Sequence, residues 1–317
     1  MLSRVAESLF WLGRNTERAE TIARVLDVNY TRAMDLYSQR ESLRLWRSVM
    51  HCAGFTPDAE LPDGPGSKAA AQAFAHCAFD PQNPSSILSA VRVARANALG
   101  IRAELTAEVW EVINVLYLFV EAQTLRGVMR EGPSRFLRRV RDLMLAFAGT
   151  SDGTLTHGEG WDFLQLGRFL ERGYMAGRIL AALEVEREPW HETQRMLEMC
   201  CASVPFAQYS RRAPEPRDGL EYIVCTPSFP RSLRFCTRAA DEALHRLSGS
   251  PPGSFANAAE RRLGRLRAEL DFTPFDELVA AGACAFGASV VREFEALSDD
   301  VQAAYFPALP RQPAAVL

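Results

Sequence analysis

Two short stretches of this chain carry the same charged triplet at helical spacing: LGRNTERAETIARVL over residues 12–26 and LGRFLERGYMAGRIL over 166–180. In R-x-x-E-R the two arginines and the glutamate lie within one helical turn, because residues three and four apart are neighbours on a helix face. Arg14, Glu17 and Arg18 form the first triplet; Arg168, Glu171 and Arg172 form the second. Two chemistries are open to such a set. Guanidinium forks can grip a carboxylate or another anion, which makes an anion pocket. The same groups can instead pair with one another and fix how two helices cross, which is the commoner arrangement. Duplication strengthens the first reading, since a buried ionic network carries a desolvation cost and needs a reason to exist.

The nearest further carboxylates are Glu20, one turn beyond Glu17, and Glu7 earlier in the same stretch. Glu159 lies just ahead of the second triplet, in HGEGW, with His157 and Trp161. Gly13 and Gly167 adjoin the triplets and leave room for two helix backbones to approach. If the two stretches cross, two glutamates and four arginines converge.

Other chemistries find less support. A metal site in a helical bundle wants Glu-x-x-His on paired helices. That spacing occurs at Glu188–His191, split by Pro189 and without a second copy, so neither a metal nor a cofactor is expected. No G-x-x-x-x-G-K-[ST], G-x-G-x-x-G or G-x-S-x-G is present, which removes the phosphate loop and the hydrolase elbow. His51 and Cys52 are adjacent, and adjacent helical residues point apart. Arg95, Arg102, Glu108, Trp110 and Asn114 read as a polar stripe about one core tryptophan; joining the same pocket is the sharper alternative.

These residues need helices to hold them. Val5, Leu9, Leu12, Ile22, Val25 and Leu26 recur at three- and four-residue spacing, and no proline precedes Pro57, so one helix is predicted to run to about Thr31. GFTPDAELPDGPGSK (54–68) reads as a loop. DPQNPSS (80–86) ends in serines able to cap the next helix. Residues 86–130 keep a helical pattern, within which VINVLYLFV is apolar all round and reads as a central buried helix. A helix over 134–147 follows Pro133, AGTSDGTLTHGEG (148–160) reads as a linker, and the pattern resumes from Trp161 to about Val185. Residues 203–230 are mixed, with EYIVC a possible short strand. Late helices are predicted over 228–248, 255–271 and 275–296, the last capped by Thr273 with Pro274 at its first position.

A second, weaker match, NPSSILSAVR (83–92) with TPSFPRSLRF (226–235), accompanies the first. The expected fold is therefore an all-α bundle of two related helical repeats about a pseudo-twofold axis. The repeats fall at 1–150 and 155–305, packed as one globular unit, with a flexible tail over 306–317.

Composition excludes several classes. Hydrophobic residues make up 48% and charged residues 24% of the 317, and the formal net charge is −3 with both signs interspersed, so no nucleic-acid footprint is indicated. Seven cysteines, an odd number without C-x-x-C, suit neither a disulfide framework nor a zinc ribbon. They read as reduced small hydrophobes of a cytoplasmic protein. MLSRVAESLFWLGR lacks the apolar core of a signal peptide. The longest apolar run, Leu278 to Val291, is shorter than the roughly 20 residues of a membrane span; its Ala and Gly residues suggest close helix packing.

MLSRVAESLFWLGRNTERAETIARVLDVNY resembles the opening of the alpha-E family, bacterial all-helical proteins named for their glutamate. NPSSI with ARANALGIRAELTAEVWEVIN, GWDFLQLGRFLERGYMAGRIL and PSFPRSLRFC agree in the same order, over about residues 1–248. The chain departs from that pattern at TLTHGEGW and SVPFAQYSRR, where the family carries more charged or polar residues. The resemblance implies association with a circularly permuted ATP-grasp ligase, and with a transglutaminase-like protein, in amide-bond formation on peptides or amino acids. It highlights Glu7, Arg14, Glu17, Arg18, Glu20, Arg168, Glu171 and Arg172. The expected role is a non-catalytic helical partner that offers its Arg/Glu face to the ligase or to an amino-acid or peptide substrate. Its rivals are an enzyme using Glu17 or Glu171 as acid or base, and a purely structural scaffold.

Overall fold

Leu9, Leu12, Ile22, Val25 and Leu26 all point into one core, and the stretch that carries them is a single 31-residue helix, α1 (Ser3–Ala33). The computed structural model of the protein describes residues 1–306 apart from 37, 55–65, 186, 211 and 252. Beyond α1 the chain forms α2 (Gln39–Cys52), α3 (Gly66–Phe79), α4 (Ile87–Gly100), α5 (Ala107–Glu121), α6 (Leu125–Glu131), α7 (Pro133–Thr154) and α8 (Glu159–Ala181). There follow α9 (Pro189–Met199), α10 (Ser203–Tyr209), α11 (Pro216–Cys225), α12 (Leu233–Ser248), α13 (Ala258–Phe272), α14 (Phe275–Leu278) and α15 (Ala283–Tyr305). No strand occurs among the described residues, and no single helix there is long and apolar enough to cross a membrane. Four of the seven cysteines, Cys52, Cys77, Cys200 and Cys236, are buried.

Two groups of four helices carry the architecture. In one, α1 packs on α4, α4 on α5, α5 on α7 and α7 back on α1; in the other, α8, α12, α13 and α15 follow one another in the same cyclic order. The remaining helices cover the flanks. The two groups meet where α1 crosses α8, the most extensive helix pairing in the molecule. Phe10, Leu12, Ile22, Leu26 and Leu164 are almost wholly buried along these two helices. Each such side chain contributes about 1.5–3 kcal/mol on leaving water.

The helix starts follow local chemistry. The Ser86 hydroxyl accepts from the Ser89 amide at 3.1 Å and donates to the Asp80 carbonyl at 2.8 Å, which caps α4. Ser232 does the same for α12 with the Phe235 amide and the Thr226 carbonyl. The matching caps are thus Ser86 and Ser232, three residues out of step with the alignment of NPSSI on TPSFP.

Several sequence expectations are corrected. The stretch VINVLYLFV belongs to α5, which buries Val109, Ile113, Leu116 and Val120 but leaves Val115 43% and Leu118 56% exposed. It is an outer member of its four-helix group; α1 and α8 hold the centre. Most of the expected linker at 148–160 is helix, because Leu143, Phe147 and Ser151 continue one buried face to the end of α7. EYIVC is the end of α11, not a strand: Glu215 and Asp218 form a capping box, Pro216 opens the helix, and Leu220, Ile223 and Val224 share one buried side. The helix expected over 275–296 breaks. Pro274 precedes the short α14 and Thr273 closes α13, while α15 starts only after Gly282, whose φ is +96°. Phe306, placed in the expected tail, is buried against Phe10 and Phe163 at ring distances of 5.5 and 5.6 Å. The rest of that tail, 307–317, and most of the expected loop at 54–68 lie outside the described residues.

At the crossing the backbones touch. A Cβ on Gly13 would collide with the Leu164 carbonyl oxygen, and one on Gly167 with that of Phe10. Helix propensity alone favours alanine over glycine by about 1 kcal/mol, and here the clash opposes it with backbone atoms that cannot rotate away. Gly13→Ala and Gly167→Ala are expected to destabilise the fold by about 1–3 kcal/mol or more. Gly149→Ala, at a helical position facing open space, is expected to raise stability slightly. Urea unfolding of the three variants checks this; a Gly13→Ala midpoint at or above that of Gly149→Ala would refute the backbone contact.

Candidate functional site

The close approach fixes what happens one turn further on. Arg14 and Arg18 of α1 reach across to Glu171 of α8, while Arg168 and Arg172 of α8 reach back to Glu17 of α1. Arg18 grips Glu171 with Nε to Oε1 at 2.6 Å and Nη2 to Oε2 at 3.0 Å, and Arg14 Nε adds a bond to Oε2 at 2.8 Å. Arg172 grips Glu17 in the same manner, with Nε to Oε1 at 2.7 Å and Nη2 to Oε2 at 2.8 Å. Its remaining Nη1 donates to the Pro230 carbonyl at 3.1 Å. The six triplet residues therefore converge, each glutamate neutralised from the opposite helix.

Arg231 was not foreseen. It sits on the turn into α12, directly before the cap Ser232, and donates to Glu17 at 3.3 Å and to Glu20 at 2.8 Å. Glu20 is also held by Arg24 of its own helix. The signal lay in PSFPRSLRF, where arginine stands just before the capping serine; the residue before the α4 cap is Ser85. A second buried arginine, Arg195, binds Asn29 at 3.1 Å, Ser48 at 2.9 Å and Glu192 at 2.5 Å, and ties α9 to α1 and α2.

Two candidates stand apart. The Glu7 carboxylate accepts from Gln302 at 3.1 Å and has no part in the network. Glu159, half exposed at the start of α8, pairs with the Met1 amino group at 2.8 Å. The stripe from Arg95 to Asn114 makes its own cluster, with Arg95 bonded to Asn114 at 3.1 Å and lying over Tyr117 and Trp110. His157 stacks on Trp161 at 4.2 Å. Among the described residues no group of three or more His, Cys, Asp or Glu side chains could hold a metal ion.

Electrostatics decides what the cluster can do. Burial pushes the Glu17 carboxyl up, but Arg172 and Arg231 outweigh it and hold the group down at about 2. Glu171 is likewise lowered by Arg18 and Arg14 against its complete burial, and Glu20 by Arg231 and Arg24. Carboxylates held this low are poor proton acceptors at neutral pH. On the Glu17 side Arg24, Arg168, Arg172 and Arg231 face only Glu17 and Glu20, so the charge there is in surplus by two guanidinium groups among the described residues. Arg168 is the least committed: its one ion-pair partner among the described residues is Glu17, at 3.5 Å. Burial and the neighbouring Arg172 both work against its charge. A buried positive surplus suits an anion.

Over residues 1–306 the chain matches the model of a family described as a predicted alpha-helical domain with a conserved ER motif. Glu17-Arg18 and Glu171-Arg172 are the E-R pairs at the crossing. Similar proteins include uncharacterized proteins of Mycobacterium bovis and of two Mycobacterium tuberculosis strains. Each is 25% identical over 297 residues, which is 87% of this chain and 33% of the relative. The chain thus spans about a third of the length of these relatives. No solved structure matches it.

The Glu17 carboxyl lies below its unfolded value of about 4.3, so its stabilising effect is complete above that value and is lost as pH falls toward 2. Thermal melting is expected to drop steeply from about pH 5 downward. Glu17→Gln is expected to cost about 3–5 kcal/mol at neutral pH, because it strands buried guanidinium groups, and to flatten that acid slope. A variant that melts like the parent at pH 7, with the same slope, would show that the pair is not buried as described.

Proposed function

The chain belongs to the Alpha-E family, and on that premise we propose that it is a non-catalytic helical partner of an ATP-grasp amide ligase system. In this reading it presents guanidinium groups around Glu17 to the ligase or to an anionic amino-acid or peptide substrate. The surplus of arginine over glutamate on that side of the crossing carries the proposal. Saturated carboxylates speak against the rival in which Glu17 or Glu171 serves as acid or base. The two four-helix groups, with their LGRxxER helices crossing, fit a duplicated unit with a pseudo-twofold axis. In the mycobacterial relatives the matching region is a third of a longer chain.

A scaffold without ligand remains the second reading, favoured by the complete burial of Glu171. Co-purification with an ATP-grasp ligase encoded beside this chain separates the two. The proposal expects a stable complex and ligation that depends on this chain. It also expects Arg168→Gln to lower ligation about tenfold with melting near the parent's. The isolated chain is expected neither to hydrolyse ATP nor to bind it at micromolar concentration. Ligation indifferent to the chain's presence would defeat the partner role, and tight ATP binding by the chain alone would defeat its non-catalytic character.

A further inference from the structure

The two arginines that open the triplets, Arg14 and Arg168, end in different surroundings. Arg14 is fully engaged: besides Glu171 it donates to the hydroxyl of Ser298 on α15, the last helix of its group. Arg168 has no such hydroxyl bonded to it. The last helix of the other group, α7, brings up Ser151, 2% exposed, whose hydroxyl has no hydrogen-bond partner. Ser151, Arg168, Arg231 and Glu17 line one small recess of about 30 Å³. On one side of the crossing an arginine and a serine are closed on each other; on the other both line the recess.

The recess has the chemistry of a seat for a carboxylate oxygen. A buried hydroxyl without a partner costs about 1–3 kcal/mol, and among the described residues the arginines beside it outnumber the carboxylates they pair with. The remaining lining includes Met144, Leu145, Phe147 and Leu164, of which Leu145 is 54% exposed. A charged seat with an exposed apolar neighbour fits a carboxylate attached to an apolar group.

We propose that this recess takes one oxygen of the terminal carboxylate of an amino acid or peptide whose last residue is apolar, with Arg168 and Ser151 as its donors and Leu145 against the side chain. The inference rests on the partner reading for its biological sense, but its test does not need a ligase. The probes are N-acetyl-leucine and N-acetyl-leucinamide, titrated calorimetrically into the isolated full chain, with acetate and chloride as comparisons.

The acid is expected to bind and the amide to bind at least about tenfold more weakly. Arg168→Gln is expected to weaken the acid about tenfold or more. Should that variant melt low, Ser151→Ala keeps the test sharp. It removes an unsatisfied hydroxyl, so it is expected to melt at or above the parent while binding the acid about three- to tenfold more weakly. A merely structural serine would not give that opposite pair of effects. Equal binding of acid and amide, no binding of either, or unchanged binding in both variants would overturn the inference. So would chloride matching N-acetyl-leucine, which would mark an adventitious ion only. Carboxylate binding with no ligase dependence would leave this site standing and remove the partner reading; ligase dependence without carboxylate binding would do the reverse.

Discussion

Everything in this fold hangs on two helix backbones brought into contact at Gly13 and Gly167. Once α1 and α8 lie that close, the next turn of each carries a glutamate into the buried crossing, and an ionised carboxylate there is tolerable only with strong partners. The arginines of the opposite helix supply them, two per glutamate. Steric contact and charge exchange are thus one constraint: the glycines set the distance at which the forks of Arg18 and Arg172 can reach, and the forks fix the angle at which the glycines touch. The other helices of the two groups complete the cores around that crossing.

The exchange is reciprocal but not equal. Glu171 is fully enclosed by Arg14 and Arg18, with Ser298 behind Arg14. Glu17 and Glu20 meet four arginines, because Arg231 enters from the turn before α12 where the other group has Ser85. One side therefore closes as a clasp and the other keeps cationic capacity unused. That difference makes the Glu171 side a closed ion pair, while on the Glu17 side arginines outnumber carboxylates.

Much of this was legible in the sequence because it is local. R-x-x-E-R specifies a helix face, a repeated triplet specifies two such faces, and glycine beside each says the faces can meet. The capping serine ahead of α4 was readable for the same reason. What failed depended on partners distant in sequence. Arg231 is bound through a turn whose position is set by α12. Glu7 and Glu159 look equivalent to Glu20 on a one-dimensional count, yet they fall outside the crossing. VINVLYLFV is apolar enough for a centre, but composition cannot say that Val115 and Leu118 face outward. The run through Gly149 and Gly153 carries turn residues and is helical all the same, since Phe147 and Ser151 remain on its buried face. The apolar run after Leu278 hid a break at Gly282 for want of any polar marker.

Neutralisation across the crossing also bears on the chain's covalent continuity. Glu17 has all its counter-ions in the segment after α7, and Glu171 has all of its own in the segment before it. The peptide linking Thr154 to Glu159 carries none of these bonds. A polypeptide cut there would consist of two fragments, each holding the electrostatic complement of the other. Pulling them apart would expose the apolar faces of α1 and α8 to water, so the nicked molecule would behave as a heterodimer whose pairing the ion pairs make specific. The backbone link chiefly keeps the two segments at high local concentration while they fold; afterwards the crossing holds them.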